Sequence, residues 1–308
     1  MRCLVTGATG HVGAALTRGL LDRGSEVAVL VRPQSDLWRL GGVLDRVTVL
    51  RGALGDLGGA QAGLSEWKPE AVFHLAWSGV TGAFRNDTDQ ITRNVSGSLE
   101  LFEAARAAGM KTWVGVGSQA EYGPVSGTLR EDLTPHPETA YGVAKLCLGL
   151  LTAKLCAMTD ARFVWLRLLA TYGPGDDARH LLPHVITQLL EGKRPALTPG
   201  EQRWDYLYID DAIEAVCRLA LDTDAAGIFN LGAGESHTVR AWVERARDLI
   251  DPSLPLGLGE VPYRPDQVMH LEADVSKLRA ATGWRPRVGM DEGLRRTVDW
   301  HRAQHPRP

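Results

Sequence analysis

Cysteine is scarce in this chain of 308 residues, and long apolar runs are missing. The four cysteines, Cys3, Cys147, Cys156 and Cys217, share no CxxC spacing and mostly lie in apolar segments. This pattern disfavours a disulfide framework or a metal site and predicts reduced, buried thiols. Because no apolar run approaches the roughly 20 residues that span a bilayer, we expect no membrane partner.

Neither sign of charge dominates the chain. The formal net charge is −3, and the arginines are scattered without a basic block. This balance argues against a nucleic acid or an acidic membrane surface as the main partner. The opening MRCLVT is too short for the apolar region of a signal peptide and runs directly into a glycine motif. It therefore predicts the first strand of a cytoplasmic protein.

Short apolar runs alternate with helical patterns in the first half of the chain. The predicted strands are 3–6, 26–31, 47–51, 71–75, 112–116 and 163–168, and the predicted helices include 12–23, 94–108, 211–221, 239–249 and 291–302. This alternation predicts an α/β fold with a Rossmann-type doubly wound parallel sheet. Beyond residue 175 the loops become proline-rich, which predicts a smaller mixed α/β C-terminal substrate lobe over the carboxyl ends of the strands.

The predicted domain division follows this change from strand–helix alternation to proline-rich loops. Residues 1–173, with a returning segment 206–235, are assigned to an NADP-binding Rossmann domain. Residues 174–205 and 236–308 are assigned to the substrate-binding lobe.

A glycine loop joins the first strand to the first helix. In Gly7-Ala-Thr-Gly10-His-Val-Gly13 the glycines allow a tight turn, close approach of the backbone to a pyrophosphate, and close helix–strand packing. Exposed amides at the start of the following helix attract phosphates. Since the motif lies between a strand and a helix, it predicts dinucleotide binding, with His11 as a spacer in the loop and not a catalyst.

The end of the second strand carries information about the cofactor. An NAD site commonly places a carboxylate there for the ribose 2′-hydroxyl, whereas this chain has Val31 followed by Arg32. A guanidinium at this point attracts a 2′-phosphate, so we predict NADP, with NAD as the alternative. A plain surface arginine is the competing interpretation.

A phenol and an ammonium lie one helical turn apart in Tyr141-Gly-Val-Ala-Lys145. A free tyrosine has a pKa of about 10, and a neighbouring cation favours the phenolate. The pair can therefore act as an acid/base for a carbonyl/alcohol interconversion, although an amphipathic surface helix explains the spacing equally well. Ser118, at the end of a predicted strand, makes the combination more specific.

Taken together, the motifs strongly resemble the extended short-chain dehydrogenase/reductases, the epimerase/dehydratase family that acts on nucleotide sugars. The matching segments are TGATGHVG at 6–13, HLA at 74–76, NVSG at 94–97, Ser118, YGVAK at 141–145, LRLLATYGPGDD at 166–177, WDYLYIDD at 204–211, FNLGAGES at 229–236, RPDQ at 264–267 and GWRP at 283–286. The resemblance implies that Tyr141 donates and accepts the proton, that Lys145 tunes it and holds the nicotinamide ribose, and that Ser118 bonds the reacting oxygen. Asn94 would order the active-site helix.

The resemblance also implies the remaining site residues and a homodimer through the helices 94–108 and 140–158. The cofactor-binding candidates are Gly7, Thr9, Gly10, His11, Val12, Gly13, Arg32, Leu54, Leu75, Ala76, Asn94, Tyr141 and Lys145. The substrate-binding candidates are Trp77, Asn86, Gln119, Glu121, Trp204 and Arg264. Arg264 matches an arginine that clamps a substrate diphosphate, and a solvated loop charge is the alternative.

Some positions depart from the family pattern. Ala53 stands where an aspartate commonly binds the adenine edge, Ala170 where a substrate-binding asparagine is common, and Trp204 where an arginine often precedes Asp205. These departures predict a variant sugar pocket. His180 and His184 are four apart, but no third ligand accompanies them, and we predict no metal.

The stretch SQAEYGP at 118–124 bears on the reaction. The family's dehydratases carry two acidic residues before Tyr-Gly, where this chain has Gln119 and Ala120. Neither side chain exchanges protons, which disfavours a dehydratase. Glu121 is displaced by one position and acts as a local acid, bonds a substrate hydroxyl, or caps the loop.

We therefore predict an NADPH-dependent reductase of a nucleotide-activated 4-keto-6-deoxy sugar. The choice of reductase rests on Arg32, because an epimerase regenerates its own nicotinamide and gains nothing from selecting the 2′-phosphate. A nucleotide-sugar epimerase is the main alternative. A non-enzymatic NADP sensor is disfavoured because the Tyr/Lys pair is intact.

Overall fold

The structure, a computed structural model, describes residues 1–80, 82–264 and 267–304. Its strands are β1 (Arg2–Thr6), β2 (Glu26–Val31), β3 (Val47–Arg51), β4 (Ala71–His74), β5 (Thr112–Ser118), β6 (Arg162–Leu168), β7 (Ala170–Tyr172), β8 (Ala196–Leu197), β9 (Arg203–Trp204), β10 (Tyr206–Tyr208), β11 (Gly227–Leu231), β12 (His237–Thr238), β13 (Gly257–Leu258) and β14 (His270–Leu271). Its helices are α1 (His11–Asp22), α2 (Ala60–Trp67), α3 (Ser96–Ala107), α4 (Ala140–Met158), α5 (Leu181–Leu190), α6 (Ile209–Leu221), α7 (Val239–Ile250), α8 (Ser276–Thr282) and α9 (Met290–Gln304).

A seven-stranded sheet in the order β11-β6-β5-β4-β1-β2-β3 lies at the centre, and all its neighbouring strands are parallel. Every strand predicted in the first half of the chain is present, so the predicted Rossmann-type sheet is confirmed. The seventh strand, β11, returns from the second half of the chain and pairs with β6.

Alternation along the strands separates two apolar layers, one on each face of the sheet. In β1, Cys3 and Val5 belong to the core that includes α1 and α6, whereas Leu4 belongs to the core that includes α2 and α3. Because successive side chains of a strand point to opposite faces of the sheet, each face carries an apolar layer that packs against helices. All four cysteines are free thiols, and three of them are fully buried, as the sequence predicts; Cys147 is only half-buried.

The C-terminal lobe is built from short strands and from α5, α7 and α9, which contact one another. The motif GWRP joins it to α6 through Asp211. The Asp211 carboxylate accepts hydrogen bonds from the backbone N–H groups of Arg287 and Val288. The backbone carbonyl of Asp211 accepts the indole N–H of buried Trp284. The motif therefore serves to dock the chain end against the sheet domain.

One helix, α4, is long and apolar enough to cross a membrane by length and composition. Its buried face packs on β5 and β6 and includes Tyr141 and Lys145. Burial against the sheet accounts for its apolar character, as for a core helix of a globular domain.

The carboxyl ends of parallel strands meet at one edge of the sheet. The chain order reverses between β1 and β4, and ligands bind at such a point in sheets of this kind. Gly7, Leu75 and Ser118 all lie at the carboxyl ends of these central strands. The fold therefore gathers the glycine loop and the residues after β4 and β5 at one place.

Candidate active site

The glycine loop is packed too tightly for any side chain at two of its glycines. A Cβ at Gly7, whose φ is +69°, would lie 2.8 Å from the backbone nitrogen of Ala76. A Cβ at Gly13 would lie 2.1 Å from the carbonyl oxygen of Gly7. Gly10 precedes α1, and its N–H is donated to the same carbonyl. The loop therefore brings the start of α1 directly against the ends of β1 and β4.

The start of α1 has the features of a phosphate site. No acidic residue lies in its first turn, and the Nε2 of His11 is buried without a hydrogen-bond partner in the described part of the chain. Burial lowers the pKa of His11, which keeps the imidazole neutral. Arg39 donates to the carbonyls of Thr9 and Gly175, at 3.2 and 2.7 Å, and so fixes the loop from outside. These residues fit the pyrophosphate of a dinucleotide.

A buried hydrogen-bond chain connects β1, β4 and α3 beneath this loop. Ser98 donates to the carbonyl of Asn94 at 2.6 Å, so its oxygen accepts from the Nε2 of His74 at 2.8 Å. The Nδ1 of His74 then accepts from the hydroxyl of Thr6 at 3.0 Å. Burial lowers the pKa of His74 to about 3. His74 is therefore a neutral residue of the core.

Asn94 and Gln90 hold the loop that follows β4. Both lie in a π-helical turn before α3. The Asn94 side chain accepts the N–H of Ser78 and donates to the Ser78 carbonyl, at 2.8 and 3.0 Å. Gln90 accepts the indole N–H of Trp77 at 2.7 Å and donates to the carbonyls of Gly79 and Phe84. Sequence reasoning missed Gln90, although its spacing four residues before Asn94 places both on one helical face.

Ser118, Tyr141 and Lys145 come together at the ends of β5 and α4, and all three are buried. The ammonium of Lys145 donates to the carbonyl of Val116 at 2.7 Å and lies 3.8 Å from the centre of the Trp77 ring. The Trp77 and Tyr141 rings meet edge to face with their centres 6.1 Å apart. Tyr141, the proposed acid/base, and Lys145 therefore both contact the ring of Trp77.

Burial is the largest influence on the pKa values of Tyr141 and Lys145. It raises the pKa of Tyr141, while a hydrogen bond with the Ser118 side chain and the positive charge of Arg85 work in the opposite direction. Burial lowers the pKa of Lys145 to about 7 despite the negative charge of Glu121. The ammonium of Lys145 is therefore near its point of ionisation at neutral pH.

The start of α4 is fixed by its neighbours. The N–H of Ala140 is donated to the Asn86 side chain at 3.1 Å, and the N–H of Tyr141 to the carbonyl of Arg85 at 2.8 Å. Thr139 accepts the N–H of Gly142 as the N-cap. Asn86 therefore has a structural contact that accounts for its position.

Glu121 does not face the substrate side, and its predicted substrate-binding role is wrong. The side chain is 1% exposed and forms an ion pair with the Nε of buried Arg167 at 2.9 Å. It also accepts the N–H of Ser118 and the indole N–H of Trp165, at 2.9 and 3.0 Å. Because these partners occupy both oxygens, Glu121 caps the turn after β5 from within the core. The loop-capping alternative is the one that the geometry supports.

The remaining substrate candidates differ in their surroundings. Gln119 is half-buried at the turn after Ser118. Trp204 packs against the Tyr206 ring, with centres 5.9 Å apart, and donates its indole N–H to the carbonyl of Val268. Arg264 reaches the loop after β4, because a Cβ at Gly82 would lie 3.6 Å from its Nη1. Two other residues of the motif at 264–267, Pro265 and Asp266, lie outside the described residues.

The far end of the cofactor crevice carries two arginines. Arg32 is exposed directly after β2, and Arg51 ends β3 in register with Val31. Arg51 donates to the carbonyl of Pro33 at 3.3 Å. Leu54 packs beside Gly97, where a Cβ would lie 2.8 Å from the Leu54 side chain. Within residues 1–80, 82–264 and 267–304, no three His, Cys, Asp or Glu side chains are placed to hold a metal ion.

Comparison with known proteins agrees with this geometry. The model of the NAD dependent epimerase/dehydratase family matches residues 3–232. The chain belongs to this family. GDP-6-deoxy-D-mannose reductase of Pseudomonas aeruginosa is 27% identical over 314 residues, which cover 97% of each chain.

Solved structures of the epimerase/dehydratase family show the same fold. UDP-glucose 4-epimerase of Thermus thermophilus, in complex with NAD, is 29% identical with a TM-score of 0.87, over 98% of this chain and 99% of that chain. UDP-glucose 4-epimerase of Thermotoga maritima, with UDP-glucose, is 25% identical with a TM-score of 0.86, over 99% and 100%. The resemblance found from the motifs is thereby confirmed: the chain is of the NAD-binding oxidoreductase type whose relatives modify nucleotide sugars.

Proposed function

We propose that this family member reduces the keto group of a nucleotide-activated 4-keto-6-deoxy sugar with NADPH. The observation that carries the proposal is the convergence of Ser118, Tyr141 and Lys145 at the same edge of the sheet as the glycine loop, without an acid at Gln119 or Ala120. The first feature supports carbonyl/alcohol chemistry, and the second disfavours dehydration. The reductase of Pseudomonas aeruginosa is a relative with a reaction of this class in its name.

Arg32 supports NADPH as the reductant. It is exposed at the end of β2, and no carboxylate in the described ranges pairs with it. Arg51 lies one strand away and adds a second positive charge for a 2′-phosphate. Since a neighbour of known structure binds NAD, the test is a direct comparison of the two cofactors. In Arg32→Ala, KM for NADPH should rise at least ~10-fold more than KM for NADH, and equal effects would contradict the assignment.

The chain's own residues then account for the proton. The nicotinamide, when bound, supplies the hydride to the sugar carbonyl. Tyr141 donates its phenolic proton to the oxygen that gains negative charge, and Ser118 donates a hydrogen bond to the same oxygen. Lys145 holds the cofactor ribose and favours the phenolate through its charge. Trp77 shields the site of proton transfer from water, because its ring covers the ammonium of Lys145.

The substrate is proposed to extend from Tyr141 towards the C-terminal lobe. Gln119 bonds a sugar hydroxyl, and Trp77 packs against the sugar ring. Arg264, which reaches the loop after β4, binds the diphosphate of the substrate. Trp204 lines the lobe side of the same pocket.

We further propose the wider setting of the enzyme. Residues 1–173 and 206–235 bind the cofactor, and residues 174–205 and 236–308 bind the sugar nucleotide. A homodimer in the cytoplasm forms through α3 and α4, because Val143, Leu150 and Leu151 expose apolar side chains on α4.

An epimerase is the second candidate, favoured by the relatives named UDP-glucose 4-epimerase. Incubation with a panel of nucleotide sugars and 4-keto-6-deoxy derivatives, with NADPH or NADH, distinguishes the two reactions. Stoichiometric loss of the NADPH absorbance supports the reductase, whereas conversion without net oxidation supports the epimerase. In Tyr141→Phe turnover should fall at least ~100-fold with substrate binding retained. An unimpaired Tyr141→Phe would refute the assigned role.

A further inference from the structure

A second cation lies against the phenol, and neither the motifs nor the comparisons assign it. The guanidinium carbon of Arg85 is 5.1 Å from the centre of the Tyr141 ring. The carbonyl of Arg85 also accepts the N–H of Tyr141 at 2.8 Å, so backbone and side chain are both fixed relative to the phenol. A guanidinium within about 6 Å of an aromatic ring is attracted to it.

The position of Arg85 is determined by its neighbours in the loop. Gln90 holds the carbonyl of Phe84 at 2.9 Å, and the Asn86 side chain accepts the N–H of Ala140. The Nε of Arg85 is buried and has no hydrogen-bond partner among the described residues. No described carboxylate forms an ion pair with this guanidinium. Arg85 as a whole is half-buried, and a buried N–H donor without a partner is unfavourable for stability.

Three groups besides burial affect the pKa of Tyr141. Ser118 forms a hydrogen bond with it from β5, Arg85 acts from the loop after β4, and Glu121 acts from the turn after β5. Lys145, on α4 itself, contacts the same Trp77 ring as Tyr141. Glu121 is paired with the buried guanidinium of Arg167.

Of the two cations near Tyr141, Lys145 is the one whose charge changes near neutral pH. Burial lowers the pKa of Lys145 to about 7, so this ammonium loses its proton in the upper neutral range. A guanidinium is not deprotonated in proteins.

We propose that Arg85 is a positioning residue that acts through Tyr141: its fixed positive charge stabilises the phenolate that remains when Tyr141 donates its proton. The O–H bond of the phenol breaks, the O–H bond of the product alcohol forms, and solvent later returns a proton to the phenolate. This inference rests on the proposed function, in which Tyr141 is the proton donor. It adds a residue that no motif includes.

The test compares Arg85→Gln and Arg85→Lys with Arg93→Gln, which removes an exposed arginine paired with Asp89 at 3.1 Å. Ionisation of Tyr141 is followed by tyrosinate absorbance, as the difference between each protein and the same protein carrying Tyr141→Phe. The titration midpoint should rise by about one pH unit or more in Arg85→Gln, since an opposite charge at this distance shifts a pKa by about 1–3 units. Arg85→Lys and Arg93→Gln should stay close to the wild type.

A second readout uses catalysis in the alcohol-oxidising direction with NADP⁺, where the phenolate is the base. The midpoint of the pH–rate profile should rise by the same about one unit in Arg85→Gln and return in Arg85→Lys. If Arg85→Gln folds poorly, Arg85→Met keeps the apolar stem and takes its place.

Unshifted midpoints in both readouts, with Tyr141→Phe inactive, would overturn this inference alone. Full turnover in Tyr141→Phe would overturn the proposed function and this inference with it.

Discussion

The ion pair between Glu121 and Arg167 offers the sharpest test of how the site is supported. Glu121 and Arg167 are 1% and 2% exposed, and the carboxylate accepts N–H groups from Ser118, Trp165 and Arg167. In Glu121→Gln one carboxamide oxygen replaces two carboxylate oxygens, so either Arg167 or Ser118 faces an NH₂ group instead of an acceptor. Breaking a buried pair from one side costs about 3–5 kcal/mol, and we expect that loss in the free energy of unfolding.

Urea unfolding followed by circular dichroism measures this loss. The matched control is Glu103→Gln, whose partner Arg106 lies at 2.7 Å but with both side chains nearly half exposed. That variant should lose less than about 1 kcal/mol. The double variant Glu121→Gln/Arg167→Met should recover part of the loss, because it leaves no unpaired charge in the core. A loss below about 1 kcal/mol in Glu121→Gln would refute the reasoning.

Three further predictions concern the cofactor loop and its neighbours. Burial lowers the pKa of Lys145 from 10.5 to about 7, so the unfolded chain binds the proton more strongly and Lys145 destabilises the fold below pH 7. Urea unfolding should therefore show Lys145→Met more stable than the wild type at pH 6, with the difference shrinking as the pH rises towards 10.5; a constant difference would contradict this. Gly13→Ala should abolish cofactor binding in calorimetry because its Cβ meets Gly7, whereas Gly42→Ala, with nothing within 4 Å, should bind normally. Gln90→Leu should lower turnover at least ~10-fold by freeing the loop after β4, and unchanged kinetics would count against that role.

The fold could be predicted from the sequence because the patterns that indicate its strands and helices lie in short, continuous segments. The strands β1, β2 and β4 are short apolar runs that are buried almost throughout, and the glycine loop marks the change from strand to helix. The strand β11 carries the motif FNLGAGES but pairs with β6, far away in the chain. Long-range pairing of this kind leaves no periodic signal, which is why pattern reasoning finds the motif and not the strand.

The candidate site could be predicted only in part, because the direction in which a side chain points depends on residues that are distant in the sequence. Glu121 stands one position after Ala120, where the resemblance places an acid of the family's dehydratases, and only Arg167, from β6, shows that Glu121 turns inwards. Arg85 and Gln90 lie in a stretch with no motif, and their contacts with Tyr141 and Trp77 arise from tertiary packing. Polar residues in loops are therefore where sequence reasoning fails first.

In the proposed reaction, Tyr141 donates a proton to the oxygen of a sugar carbonyl while NADPH reduces that carbonyl. The most direct measurement is single turnover with NADPH deuterated at C4 of the nicotinamide, followed by mass and magnetic resonance analysis of the sugar nucleotide. One deuterium should appear at C4 of the sugar for each NADPH consumed, and transfer should be at least ~100-fold slower in Tyr141→Phe. Product without deuterium, or transfer at the wild-type rate in Tyr141→Phe, would contradict this mechanism.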